Sequence, residues 1–139
     1  MNQSSLLNLN DKKKYQLRPE STITSFRQSV YCLKILKNGD LAVCNQSESL
    51  ITYDPESDYE ITGILKSHKK AITSVIDISS DPDNDIIITA SLDNTIKFWK
   101  IKDLMGEVIY TLKLCDEGEL EGISDIHDHS DRDGVRIVI

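Results

Sequence analysis

His127 and His129 stand two residues apart in DIHDHSDRDG (125 to 134), amid the carboxylates of Asp125, Asp128, Asp131 and Asp133. On an extended strand residues i and i+2 share a face, so the two rings could hold a divalent ion with neighbouring acids. A metal-dependent enzyme built on residues 125–133 is thus one chemistry open to the chain. A calcium loop is not, because the D-x-D-x-D-G spacing would need an acid where His129 stands, and a solvated turn competes with any metal role.

Beyond that cluster the chain has no GxxxxGK[ST], GxGxxG, GxSxG or HExxH, so phosphate cradles, hydrolase elbows and zinc-protease helices have no residues to rest on. The expectation is a protein without catalysis, metal or cofactor. Lys and Arg number 16 against 23 Asp and Glu, a net charge of −7, which argues against nucleic acid as a partner. Eight of the acids fall between Asp116 and Asp133 with Arg132 as the only base, so the remainder is balanced.

No run approaches the roughly 18 apolar residues of a membrane span, and MNQSSLLNLNDKKKY lacks the pattern of a secretory signal. No membrane is therefore expected as a partner. Cys32, Cys44 and Cys115 are odd in number and lack CxxC spacing, which suits a reducing compartment. An intracellular protein, cytoplasmic or nuclear, is expected; Lys12, Lys13 and Lys14 do not decide between the two.

Residues 1–14 read as a flexible leader, since ordering so many small polar groups would cost entropy with little burial in return. Thereafter short runs rich in Ile, Val, Thr and Tyr are divided by turn sequences: KNGD (37 to 40), DPESD (54 to 58), SDPDND (80 to 85) and SDRDG (130 to 134). No window of a dozen residues sustains a helical apolar stripe, so the chain reads as all-β. It also echoes itself. GDLAVCNQSESLITYD (39 to 54) lies over NDIIITASLDNTIKFW (84 to 99) at an offset of 45, matching Tyr53 to Phe98, and SDPDNDIIIT lies over SDRDGVRIVI at an offset of 50. A period of about 45 in an all-β chain marks the propeller class of repeats, in which each unit is a four-stranded blade. Unit one covers about 23–66, unit two about 67–114, and unit three, truncated, about 115–139.

Unit two resembles a WD40 repeat over 67–101: Ser67-His68 stands for the family's Gly-His pair, followed by Ile72 and Val75, the DPDND turn, IIITAS, Leu92-Asp93-Asn94 and Phe98-Trp99-Lys100. The resemblance implies a buried hydrogen-bond network of His68, Ser91, Asp93 and Trp99. An ionised Asp holds a His N–H, the His accepts from a hydroxyl, and an indole N–H needs an acceptor. His68 is then structural rather than a catalytic base. Lys100 replaces the family's Asp, and in unit one Ile23, Glu48 and Asp54 fall where the His, turn Asp and Trp would be, so no network is expected there.

The same resemblance implies a non-catalytic scaffold for protein–protein interaction. It places Lys66, Lys69, Lys70, Leu92 and Asn94 on one rim with Asp116, Glu117, Glu119 and Glu121, where partner proteins should be sought. A substrate receptor or scaffold subunit of a ubiquitin ligase, or of another multiprotein complex, is an alternative suggested by Trp99 followed three residues on by Lys102. Two and a half units make a partial β-propeller, not a closed ring. A fragment of a longer protein, a truncated gene product and a half-ring are the three explanations. The missing faces would then be covered by further blades or a second subunit.

Overall fold

The computed structural model describes residues 28–80, 85–102, 104–114, 122–129 and 136–139. The expected leader 1–14, Lys12 to Lys14, Cys115, and most of the SDPDND and SDRDG turns lie outside them. Two antiparallel four-stranded sheets dominate, each a meander whose strands pair in chain order. The first contains β1 (Val30–Ile35), β2 (Leu41–Asn45), β3 (Ser49–Asp54) and β4 (Glu60–Lys66). The second contains β5 (Ile72–Asp77), β6 (Ile86–Ser91), β7 (Thr95–Lys100) and β8 (Glu107–Lys113), and a short pair, β9 (His127–Asp128) with β10 (Ile137–Val138), follows. A 3-10 turn, Pro55–Ser57, is the helical element among the described residues; Asp54 caps it by accepting from the Glu56 amide. The fold is all-β, and the described sheets do not close into a ring.

Turn chemistry sets the strand breaks. Asn38 accepts from the Asp40 amide in KNGD, where Gly39 takes a φ of 95°, a conformation that costs a glycine little. Between β6 and β7 Asn94 adopts a left-handed φ of 63°, tolerated by the short polar side chain of Asn.

The two meanders repeat each other down to their irregularities. In each, register slips between the third and fourth strands, at Thr52/Tyr53 and at Phe98/Trp99. Aligned on that slip, Tyr53 takes the place of Trp99 and Asp54 that of Lys100. This corrects the offset-45 alignment, which put Tyr53 over Phe98 and gave the Trp position to Asp54. The first strands start only 42 residues apart, because residues 36–40 link β1 to β2 whereas residues 78–85 link β5 to β6. A single offset thus averages a loop difference.

The core lies in two layers on either side of the second sheet. Toward the first sheet, Leu36, Ala42, Cys44, Leu50 and Leu65 meet Ile72, Val75, Ile87 and Trp99, whose indole is 1% exposed. On the opposite face Ile76, Ile88, Ala90 and Ile96 pack against Ile123 and Ile126. The alternation of Val75 with Ile76 and of Ile87 with Ile88 follows from the twofold repeat of a strand: a sheet buried on both faces needs apolar residues at consecutive positions. On β1, Leu33 and Ile35 are 62% and 61% exposed.

Polar side chains anchor the 122–129 segment. Thr73 Oγ1 donates to the Ile123 carbonyl at 2.6 Å, and Ser74 Oγ donates to Asp125 Oδ1 at 2.8 Å. Gly122 passes so close to Leu92 that a Cβ would lie 2.7 Å from its Cα, at a φ of 104°.

Candidate functional site

The end of the second sheet where β5 and β7 begin concentrates its buried polar groups. His68, in the loop from β4 to β5, places Nδ1 3.0 Å from Asp93 Oδ2 and Nε2 2.7 Å from Thr89 Oγ1. Trp99 Nε1–H donates to the same Thr89 oxygen at 2.8 Å. An ionised carboxylate only accepts, so the neutral imidazole keeps its proton on Nδ1, facing Asp93, and Nε2 accepts from the Thr89 hydroxyl. Thr95 Oγ1 lies 3.1 Å from Nδ1 and donates to Asp93 Oδ1 at 2.5 Å. The amides of Thr95 and Lys69 complete the carboxylate's shell at 2.9 and 2.8 Å.

Three of the four residues expected in the network are brought together: His68, Asp93 and Trp99. Ser91 is the correction. Its hydroxyl donates to the Lys70 carbonyl at 3.0 Å and accepts from the Asp93 amide at 3.1 Å, closing the turn instead of joining His68 to Trp99. Strand register explains the exchange. Trp99 pairs with Ile87, so Thr89 is its diagonal neighbour on the same face, while Ser91 lies four residues along, about 13 Å away at roughly 3.3 Å per residue.

Burial, the largest influence, lowers the pKa of His68 below the ordinary histidine value, with Asp93 only partly opposing it. For Asp93, burial works against ionisation. The donors from Thr95 and the Lys69 amide, together with His68, nevertheless hold its carboxyl below the usual range. A neutral imidazole against an ionised, fully bonded carboxylate is a brace rather than a poised acid–base pair.

Around this brace Lys66, Lys69 and Lys70 are exposed and Leu92 is half-buried. Asn94, expected on the rim, is 3% exposed. Its backbone is engaged on both sides, the amide donating to the Ser91 carbonyl and the carbonyl accepting from the Leu114 amide, so the turn is tied to the ends of β6 and β8. Asp116, Glu117, Glu119 and Glu121 lie outside the described residues. Lys102, three residues beyond the buried Trp99, is exposed and ion-paired with Glu107 at 2.9 Å.

The histidine cluster takes a simpler form. His127 Nε2 lies 3.3 Å from Asp125 Oδ2, with both side chains largely exposed. Asp125 is occupied by the Ser74 hydroxyl and the Ile126 amide, and the hydroxyl is the main influence lowering its carboxyl pKa. Among the described residues no group of three or more His, Cys, Asp or Glu is placed to hold a metal; Asp131 and Asp133 lie outside them. Elsewhere, Cys32 and Cys44 face each other in register, and a thiol hydrogen bond from Cys44 pulls the Cys32 pKa down to about 7.

Comparison with known proteins places this geometry. The family model for the WD domain, G-beta repeat, matches residues 59–100. A zebrafish (Danio rerio) protein, p21-activated protein kinase-interacting protein 1-like, is 31% identical over 116 residues, covering 76% of this chain and 31% of that protein. Solved structures of U3-55K and of the RRP9 WD40 repeats each superpose with a TM-score of 0.53 at 17% identity, over 70% of this chain and 27% of theirs. That likeness shows the fold. The chain therefore spans about a third of the length of the relatives it matches.

Proposed function

From a chain that carries a WD40 repeat within a partial β-propeller, we infer a non-catalytic module for binding other proteins through the loops at the His68 end of its second sheet. The observation that carries this reading is the anchoring of the Lys66–Lys70 loop. Its His68 ring and Lys69 amide are fixed on the buried Asp93 carboxylate, while the Lys66, Lys69 and Lys70 side chains reach solvent. A loop already held in place loses little freedom on docking, so more of the contact energy is left for affinity. WD40 domains generally bind proteins, and a relative named for interaction with a protein kinase supports the same reading. An intracellular setting belongs to it, since three cysteines without a paired framework suit reducing conditions. No helix among the described residues is long and apolar enough to cross a membrane.

The test is affinity capture from cell extract with the full chain. The paired charge reversals Lys66→Glu and Lys70→Glu are compared with Lys102→Glu, which lies beyond the far end of β7. Specific partners should be lost from the first variant and kept by the second. Retention of every partner by the Lys66/Lys70 variant would refute the assignment of the rim.

A further inference from the structure

Cys32 on β1 and Cys44 on β2 are cross-strand partners in the first sheet, the pair of cysteines that the described residues bring together. We propose that they form a thiol modification site, in which hydrogen peroxide oxidises Cys32 and Cys44 resolves the product into a reversible cross-strand disulfide.

Strand pairing supplies the reach. Partners on antiparallel strands stand about 4.5 or about 5.5 Å apart at Cα, and a disulfide spans about 4.4 to 6.8 Å. Register slips between Val30 and Cys32, and the extra residue of such a bulge lets β1 bend locally beside the cysteine. Both thiols also belong to one packed region, with Cys44 in the core cluster between the sheets and Cys32 packed against it.

Exposure divides their roles. Cys32 is half-buried on an edge strand, so a molecule as small as peroxide reaches its sulfur. Cys44 has no exposed surface and meets an oxidant only through Cys32. The surroundings divide them likewise. The hydrogen bond from the Cys44 thiol is the main influence lowering the Cys32 pKa to about 7; the Val75 amide and Lys34 assist it, and burial and Asp125 oppose it. The bond to Cys32, and after it burial, holds Cys44 protonated. Near neutral pH one cysteine is thus a partly ionised nucleophile and its partner a protonated donor.

The chemistry balances with hydrogen peroxide as the oxidant. The Cys32 thiolate attacks one peroxide oxygen; an S–O bond forms, the O–O bond breaks and hydroxide leaves, so sulfur loses the two electrons that peroxide gains. A neutral sulfenic acid then stands where the thiolate stood. The Cys44 sulfur attacks it, the S–S bond forms, the S–O bond breaks, and the departing hydroxide takes the Cys44 proton as water. A dithiol reductant restores both thiols. Such a pair suits a reducing compartment, where intracellular disulfides are transient.

The experiment treats the folded full chain with a small excess of hydrogen peroxide near pH 7 and maps it by mass spectrometry after tryptic digestion without reductant. Residues 28–34 and 38–66 carry the two cysteines on separate peptides. These should appear joined, two hydrogens lighter than their sum, from a chain still at its single-chain mass, and should separate again with dithiothreitol. In Cys44→Ala, dimedone should instead trap sulfenic acid on Cys32; in Cys32→Ala, Cys44 should stay reduced. Oxidation should speed up about fivefold from pH 6 to pH 7 and less than about twofold from pH 7 to pH 8, whereas an ordinary thiol gains roughly eight- to tenfold at each step. The ordinary-thiol profile overturns Cys32 as the attacking sulfur. A link from either cysteine to Cys115, sulfenic acid persisting on Cys32 of the wild-type chain, or both thiols left intact overturns the proposal. The deciding map is read on the wild-type chain, so a variant that fails to fold does not spoil the test.

Discussion

Replacing Thr89 by Val removes one oxygen from the centre of the second sheet and keeps nearly the same shape. The wild-type oxygen accepts from Trp99 Nε1 at 2.8 Å and bonds His68 Nε2 at 2.7 Å, at a site with no solvent exposure. Val strands a buried indole N–H and a buried imidazole nitrogen, each costing about 1 to 3 kcal/mol when left unsatisfied, so the loss should fall near 2 to 6 kcal/mol. Ser91→Ala is the comparison. It loses two turn bonds to backbone groups beside the exposed Lys70, where water can replace part of what is removed, for an expected cost of about 1 to 2 kcal/mol. Urea unfolding followed by fluorescence measures both, because Trp99 is the single tryptophan and its indole is buried in the folded chain. Thr89→Ser should recover most of the loss, since it keeps the hydroxyl and gives up only a methyl group. A Ser91→Ala cost equal to or above that of Thr89→Val would refute the placement of Thr89 as the shared hydroxyl.

Two further outcomes follow from the same geometry. Burial lowers the His68 pKa in the fold, so the unfolded chain binds a proton that the folded chain resists. Stability should be level above about pH 6.5 and fall as pH drops toward about 5, with a slope of up to about 1.4 kcal/mol per pH unit. Urea midpoints across that range should show the slope in the wild type and lose it in His68→Gln; a slope unchanged in the variant would assign it elsewhere. Gly122→Ala should destabilise the chain by about 2 kcal/mol or more, because its Cβ would press on Leu92 at 2.7 Å in a backbone conformation that alanine resists. Hydrogen exchange should show early loss of protection at the Ile123 amide, which donates to the Ser91 carbonyl, and an unchanged exchange rate there would contradict the tight packing.

Most of the fold was legible because strands announce themselves locally. Short runs rich in Ile, Val, Thr and Tyr mark the strands, KNGD and DPESD mark turns, and the echo of one stretch in the next marks the repeated four-stranded unit. Finer placement failed where it depended on register, which is a property of paired strands. The resemblance asks for a serine or threonine on the second strand of the blade and assigns the shared hydroxyl to Ser91. Ser91 and Thr89 have the same parity on β6 and face the same side, and only the pairing of Trp99 with Ile87 shows which lies within reach. An offset of 45 gives Asp54 the place of tryptophan because it is one residue short over these hairpins: Leu41 pairs with Tyr53 as Ile87 pairs with Trp99, 46 residues on. The slip shared by Thr52/Tyr53 and Phe98/Trp99 restores Tyr53 to that place.

Asn94 shows the same lesson for surfaces. The resemblance places Asn94 on the exposed rim, but a left-handed backbone at Asn94 and its bonds to Ser91 and Leu114 leave it buried. The lysines around it divide by the same logic. Lys66 and Lys70 stand on the outside of the loop, whereas Lys97 and Lys113 stand on neighbouring strands whose pairing brings them to one recess with Lys69. Sequence spacing places the first pair together, since they are four residues apart. The second pair, sixteen residues apart, meets only because β7 and β8 run antiparallel with Thr95 opposite Lys113. Strand pairing, invisible along the chain, therefore decides which lysines share a surface, and the buried Asp93 that anchors the loop lines it too. The structural network and the binding surface are in this sense one device. Weakening the brace should loosen the loop that carries Lys69, so Asp93→Asn should weaken the capture of partner proteins although it leaves every lysine of the rim in place. Undiminished capture by that variant would show that the lysine charges alone, and not the held loop, govern the surface.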